Sequence, residues 1–147
     1  MKKNFVVLLF GVCLCVFGQE SQTFGDFEFI VNGAGSSRTI TITGYTGSAS
    51  ILRIPSTINN IPVTEIATQA IGWNDDVVEV ILPDTLVSIG TGAFISCSKL
   101  EKINVPESVT GIGDGAFDYT RIYHRMDQAI IKEWEEKFDE YIFISPW

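Results

Sequence analysis

Two residues in this chain could in principle support nucleophilic catalysis, Cys97 and His124. His124 is the only histidine, and Cys97 is the only cysteine beyond residue 18. A cysteine nucleophile needs a base within hydrogen-bonding reach, and no third group stands at a spacing typical of a catalytic triad. We therefore predict a structural thiol at Cys97 and no catalytic residue.

The acidic residues do not form the pattern of a metal site. Asp75 and Asp76 are adjacent and lack the spaced carboxylates of a calcium loop, so we interpret them as solvated loop charges. The glycines follow a repeat rather than a phosphate-binding motif. No metal and no cofactor are predicted, and the sequence favours binding over catalysis.

Core-type residues recur at intervals of 23 along the middle of the chain. The repeated positions are Val63, Leu86 and Val109; Ile66, Ile89 and Ile112; Ala70, Ala93 and Ala116; and Ile71, Phe94 and Phe117. A fixed period in this range indicates a solenoid, in which one unit cannot bury its apolar face alone. We predict a β-rich α+β solenoid of about three 23-residue repeats, over residues 49–120.

The first repeat is longer than the others. Pro55 and Pro83 are 28 residues apart, whereas Pro83 and Pro106 are 23 apart. The extra residues centre on Asn59 and Asn60, and asparagine tolerates the positive φ of a tight turn, so a short hairpin is predicted. Its role is left open between a surface loop and part of a binding face.

The segment before each repeat proline alternates as a strand does, and this pattern predicts the binding surface. Residues one and three positions before the proline are apolar and should point inward, so those two and four positions before it should point outward. The outward residues, which we call the strand ribbon, are Ile51, Arg53, Glu79, Ile81, Lys102 and Asn104. The alternative is an ordinary solvated sheet face.

The N-terminus has the pattern of a secretory signal peptide over residues 1–18. Lys2 and Lys3 precede thirteen apolar or small residues, and a cut is expected near Gly18. The apolar stretch is shorter than the roughly 20 residues that span a bilayer. Lipidation at Cys13 or Cys15 is the alternative, and membrane attachment is expected only in that case.

Charge and cysteine content restrict the partners. Without Lys2 and Lys3 the chain has 8 basic and 18 acidic residues, a net charge of −10 that disfavours nucleic acid. Cys97 alone cannot form an intramolecular disulfide.

The flanks of the repeats are predicted to cap the stack. Residues 19–48 should form a β-hairpin cap, with strands at 24–31 and 39–43. Residues 121–147 should form a second cap, because solenoid ends must be covered. In it, Met126, Ile130, Trp134 and Phe138 predict an amphipathic helix over 126–139, followed by a strand at 141–144.

The repeat resembles that of BspA-like leucine-rich repeat proteins, also called the Treponema pallidum type. The pattern L-x-x-I-x-V-P-x-S-V-x-x-I-G-x-x-A-F is met by Leu100, Ile103, Val105, Pro106, Ser108, Val109, Ile112, Gly113, Ala116 and Phe117. The resemblance covers about residues 39–123. It implies an exported bacterial protein of adhesive or unknown role, although barely three repeats are present where family members often have long arrays.

Two functions are compatible with these features. The first is an exported, non-catalytic module, in one version adhesive, that binds a protein through the strand ribbon. The second is an envelope-associated or self-associating scaffold without a soluble ligand. In one version it is a lipoprotein, and in another it pairs copies through the sheet face or through Cys97.

Overall fold

The chain folds into a stack of coils, each with two strand sides and one turn side. The computed structural model describes residues 20–138 and 140–143. The predicted signal peptide and the candidate lipidation sites Cys13 and Cys15 lie outside the described residues. The predicted solenoid of about three repeats is confirmed.

The first strand side is a small parallel sheet of β4 (Ile51–Arg53), β7 (Glu79–Ile81) and β9 (Lys102–Asn104). Its central residues, Leu52, Val80 and Ile103, are aligned with one another and buried. Alternation along a strand therefore turns the flanking residues of each strand to the opposite, outer face.

The second strand side belongs to a larger sheet that begins with the N-terminal cap. This sheet contains β1 (Gln22–Phe24), β2 (Phe27–Asn32), β3 (Thr39–Tyr45), β6 (Ile61–Ile66), β8 (Ser88–Ile89) and β10 (Gly111–Ile112). The β2–β3 hairpin confirms the predicted cap, and a 3-10 turn, Gly35–Ser37, lies between its strands. β1 is an additional strand, paired antiparallel with β2. β3 then runs parallel to β6, so the cap continues the stack.

The insertion in the first repeat forms the predicted hairpin. β5 (Thr57–Ile58) and β6 pair antiparallel, and the turn between them is Asn59 and Asn60, at φ 52° and 63°. Both values lie in the left-handed region that asparagine tolerates. Ile58 and Ile61 flank the turn and are buried, so the hairpin contributes to the core of the first coil.

The third side of each coil is a run of turns joined by backbone hydrogen bonds to the next coil. The amides of Ile71 and Phe94 donate to the carbonyls of Ala93 and Ala116, both at 2.9 Å. These bonds bring the small alanines between coils and stack the Phe94 and Phe117 rings at 5.7 Å in the interior. The 23-residue ladders of apolar residues thus form one continuous core.

The C-terminal cap contains α1 (Ile122–Arg125), α2 (Gln128–Phe138) and a 3-10 turn, Glu140–Phe143. The predicted helix is confirmed, but its predicted apolar stripe is partly wrong. Ile131 and Trp134 are buried, whereas Ile130 is 40% exposed. A strict four-residue spacing drifts about 40° per step on a helix of 3.6 residues per turn, so the stripe cannot stay on one face.

The strand predicted at 141–144 is wrong over its described part. Residues 141–143 belong to the 3-10 turn, because this segment pairs with the turn side of the last coil rather than with a sheet. The amide of Gly115 donates to the carbonyl of Tyr141 at 2.8 Å, and that of Phe117 to Ile142 at 3.4 Å. The turn buries the consecutive residues Ile142 and Phe143, which an alternating strand could not do.

Candidate binding surface

The structure places all six residues of the strand ribbon on the outer face of the β4–β7–β9 sheet. Their register forms two rows across the strands: Ile51, Glu79 and Lys102 in one, and Arg53, Ile81 and Asn104 in the other. Ile51, Arg53, Lys102 and Asn104 are exposed, and Glu79 and Ile81 are partly buried. The parallel pairing brings together three segments that lie far apart in sequence.

The ribbon has one internally paired charge and one unpaired cation. Lys102 Nζ lies 3.7 Å from Glu79 Oε1, an exposed pair of the kind that contributes little to stability. Among the described residues, Arg53 forms no salt bridge. Its guanidinium is thus available to donate hydrogen bonds to a carboxylate of another molecule, in the two-pronged geometry that arginine favours.

The side chain of Asn104 is already hydrogen-bonded to the neighbouring strand segment. Its side-chain oxygen accepts a hydrogen bond from the Leu82 amide at 2.8 Å, and its Nδ2 donates to the Leu82 carbonyl at 3.1 Å. These two bonds hold the end of β9 against the end of β7. The sequence pattern placed Asn104 on the correct face but did not show that its polar atoms are already used.

A shallow groove, which we call the C-terminal groove, extends the ribbon toward the cap. It consists of a cavity of about 380 Å³ above β7 and β9 and a neighbouring one of about 420 Å³ beside α2. Met126 lines both, and Ile130 and Trp134 line the second. Ile130, which departs from the buried stripe of the helix, is therefore part of the wall of this groove.

A second depression, which we call the N-terminal hollow, lies at the other end of the ribbon. It has a volume of about 230 Å³, and Phe24, Phe27, Tyr45, Ile51 and Arg53 contribute to its walls. Phe24 and Ile51 are each 47% exposed. Sequence reasoning missed both depressions, because residues from the caps and from the ribbon meet only after folding.

Cys97 and His124 lie in different environments. Cys97 is fully buried, and its thiol donates to the Ile71 carbonyl at 3.2 Å. His124 is exposed on α1 and contacts the Tyr123 ring. The predicted structural role of the Cys97 thiol agrees with this packing. The idea that Cys97 pairs two copies is wrong, because a buried thiol cannot reach a second molecule without unfolding.

Burial raises the pKa of the Cys97 thiol from its usual 9.0 to about 11, and the nearby Asp75 carboxylate acts in the same direction. The folded state should therefore lose stability as the pH rises from 9 toward 11, because only the unfolded thiol ionises there. At about 1.4 kcal/mol per pKa unit the loss is up to about 3 kcal/mol. Urea unfolding at several pH values should show this loss, and Cys97→Ser should lack that component. Identical pH slopes in the two proteins would contradict it.

Within residues 20–138 and 140–143, no cluster of three or more histidine, cysteine or acidic side chains is arranged to hold a metal ion. None of the helices in that part of the chain is both long enough and apolar enough to cross a bilayer.

A family profile described as "BspA type leucine rich repeat region (6 copies)" matches residues 64–145. No curated protein sequence matched the chain.

Three solved structures illustrate the likeness. A leucine-rich cell surface protein of Faecalibacterium prausnitzii is 32% identical with a TM-score of 0.62, over 69% of this chain and 28% of that protein. The leucine-rich repeat protein of T. pallidum is 31% identical with a TM-score of 0.59, over 71% of this chain and 47% of that protein. A leucine-rich repeat protein of Bacteroides capillosus is 25% identical with a TM-score of 0.60, over 68% of this chain and 78% of that protein.

This chain thus corresponds to under half the length of the first two proteins. The matched range contains the second and third repeats, the C-terminal cap and part of the first repeat, so the similarity rests on the elements that build the solenoid. On this evidence the chain belongs to the BspA-type leucine-rich repeat family.

Proposed function

We propose that this chain is an exported, non-catalytic module that binds a protein partner through the strand ribbon. The observation that carries the proposal is the continuity of the ribbon with an apolar depression at each end. The exposed Ile51, the partly buried Ile81 and Arg53, which forms no salt bridge within the described residues, lie along one side of the molecule between the N-terminal hollow and the C-terminal groove. Apolar anchors surrounded by polar groups are the usual composition of a protein-binding site.

Location at the cell surface is part of this proposal. One similar protein is described as a cell surface protein, and the signal-like pattern of residues 1–18 supports export of this chain. The acidic net charge also supports a partner that is neither nucleic acid nor an anionic membrane. An adhesive role would be one form of such protein binding.

The test is a selection of random displayed peptides that bind the purified exported chain. The mass of the purified protein shows separately whether the signal peptide is removed near Gly18. We expect selected peptides to bind the variants Arg53→Glu and Ile81→Glu at least about tenfold more weakly, a loss of about 1.4 kcal/mol. The reason is that these substitutions remove an unpaired cation and an aliphatic contact from the ribbon. Titration calorimetry measures the affinities.

Matched controls lie on other faces of the molecule. Arg38→Glu changes an exposed arginine within the N-terminal cap, and Val87→Glu changes a valine that is 44% exposed immediately before β8. Both controls should bind the selected peptides as the unmodified chain does. Selected peptides that bind both ribbon variants as tightly as the unmodified chain would overturn the proposal, whether or not they respond to the controls. Melting temperatures of all four variants separate binding from folding effects.

A further inference from the structure

We propose that the partner adds an extended segment to the open edge of β4, with a carboxylate opposite Arg53 and an apolar side chain in the N-terminal hollow. This inference rests on the proposed function, since it names the way in which the same surface would bind. It concerns the backbone of the edge strand, whereas binding through the ribbon alone concerns side chains on the sheet face.

β4 is the edge strand of its sheet on the side of the N-terminal hollow. In the described chain it pairs with β7 alone. The Glu79 amide donates to the Ser50 carbonyl at 3.0 Å, and the Ile54 amide donates to the Ile81 carbonyl at 3.0 Å. Since the backbone groups of a paired strand alternate between its two sides, those of Ile51 and Arg53 point away from β7.

The open edge faces a cavity rather than a covering element. Phe24 and Phe27 from the N-terminal cap, together with Tyr45, form one wall of the hollow, and β4 forms the other. The other outer strand of this sheet, β9, is bordered by Met126 and α2. An unpaired strand edge is a ready template for an added strand, and natural proteins usually cover or charge such edges.

Charge determines the chemistry of the added segment. Arg53 stands at the open edge without an ion-pair partner among the described residues, in a chain whose net charge is −8. Asp26 also lines the hollow but does not pair with it. A segment with an acidic residue beside Arg53 would form a charge-assisted hydrogen bond there. A residue of the size of valine or leucine would fit the apolar part of the hollow.

A second copy of this chain is a poorer occupant of the edge. Antiparallel pairing of two β4 strands would oppose Ile51, Leu52 and Arg53 to the same three residues, none of which is acidic. The arginine would stay unpaired, and two acidic chains would repel each other. The charge pattern therefore favours a different protein segment.

The probe is the peptide acetyl-Thr-Val-Glu-Val-Thr-Val-Thr-amide, added to the full exported chain. Hydrogen exchange measured by NMR should slow at least tenfold for the Ile51 and Arg53 amides, and should change little for Leu52, whose amide already faces β7. Two N-methylated peptides, one methylated at the valines and one at the glutamate and threonines, keep the side chains. The amides of one of these two sets face β4 in whichever direction the peptide runs, so one of the two peptides should bind at least tenfold more weakly. Unchanged exchange at Ile51 and Arg53 would overturn the proposal.

A charge exchange tests the contact with Arg53. The variant Arg53→Glu should weaken binding of the glutamate peptide about tenfold, and a peptide with lysine at that position should recover the loss. Failure of the lysine peptide to recover binding would overturn the assigned contact. Slowed exchange that depends on protein concentration without peptide would identify a second copy as the occupant, against the proposal.

The outcomes also separate this inference from the proposed function. Selected peptides that lose affinity with Ile81→Glu but are insensitive to N-methylation would dock on the sheet face. In that case edge pairing is wrong and protein binding through the ribbon stands. Selected peptides that ignore every ribbon variant would overturn both.

Discussion

Replacement of Phe117 by alanine should destabilise the fold by about 3–5 kcal/mol, the range found for large aromatic truncations in a core. Phe117 is 1% exposed. The centroid of its ring lies 5.7 Å from that of Phe94, 6.1 Å from that of Trp134 and 5.8 Å from that of Phe143. It thus joins the last coil to α2 and to the 3-10 turn of the C-terminal cap. The cavity would be bordered by rings held on separate elements, so little collapse is expected.

Urea unfolding followed by circular dichroism measures the change. Tyr119→Ala is the matched control, because Tyr119 is an aromatic residue of the same turn that is 46% exposed. Its truncation should change the free energy of unfolding by about 0.5 kcal/mol or less. A loss below about 1 kcal/mol for Phe117→Ala would show that the cap and the last coil are not packed through this ring.

The register of the stack could be predicted from the sequence because stacking pairs equivalent positions. Glu79 pairs with Lys102, and Ser88 pairs with Gly111, each 23 residues apart. The longer first repeat is seen in the pairing of Ile51 with Glu79, 28 residues apart. A periodic sequence therefore determines both the strands and their alignment, since any other register would place polar residues in the core.

The backbone conformation of the turn side could not be predicted in the same way. Trp73, Ser96 and Tyr119 occupy equivalent positions and all have φ of 57° or 58°. None of these residue types signals a left-handed conformation. The conformation is imposed by contacts between coils, such as the 2.7 Å hydrogen bond from the Trp73 amide to the Ile95 carbonyl. Such tertiary constraints are invisible in the local sequence.

The candidate binding surface also combines features that the sequence predicts with features that only tertiary contacts determine. Strand alternation was sufficient to place Ile51, Arg53 and their neighbours on one face, since only local geometry was needed. The N-terminal hollow combines Phe24 with Ile51, and the C-terminal groove combines Ile103 with Ile130. These pairs are brought together by the caps, whose docking no repeat pattern describes.

Gly90→Ala should destabilise the fold by about 3 kcal/mol or more, at or above the upper end of typical overpacking effects. A Cβ at Gly90 would lie 2.5 Å from the Thr68 nitrogen and 2.7 Å from the Ala67 carbonyl carbon. Both atoms are backbone of the preceding coil. The coils cannot separate without stretching the 2.8 Å hydrogen bond from the Gly90 amide to the Ile66 carbonyl.

The neighbouring repeat provides a replicate and a control for this prediction. Gly113 is equivalent to Gly90, and a Cβ there would clash with the backbone nitrogen of Thr91, so Gly113→Ala should also be strongly destabilising. A Cβ at Gly111 would meet no atom within 4 Å. Gly111→Ala should therefore leave stability unchanged or raise it by up to about 1 kcal/mol, since alanine restricts the unfolded chain.

Thermal and urea unfolding of the three variants would measure this ordering. The expected pattern separates close backbone approach from a general cost of replacing glycine, because all three substitutions add the same methyl group. Position 67, equivalent to Gly90, is already alanine in the first repeat, where β6 stacks on β3 through an irregular register. Equal stabilities of Gly90→Ala and Gly111→Ala would mean that the regular coils also leave room for a methyl group. In that case the recurrence of glycine at 90 and 113 would need an explanation other than the spacing of the stack.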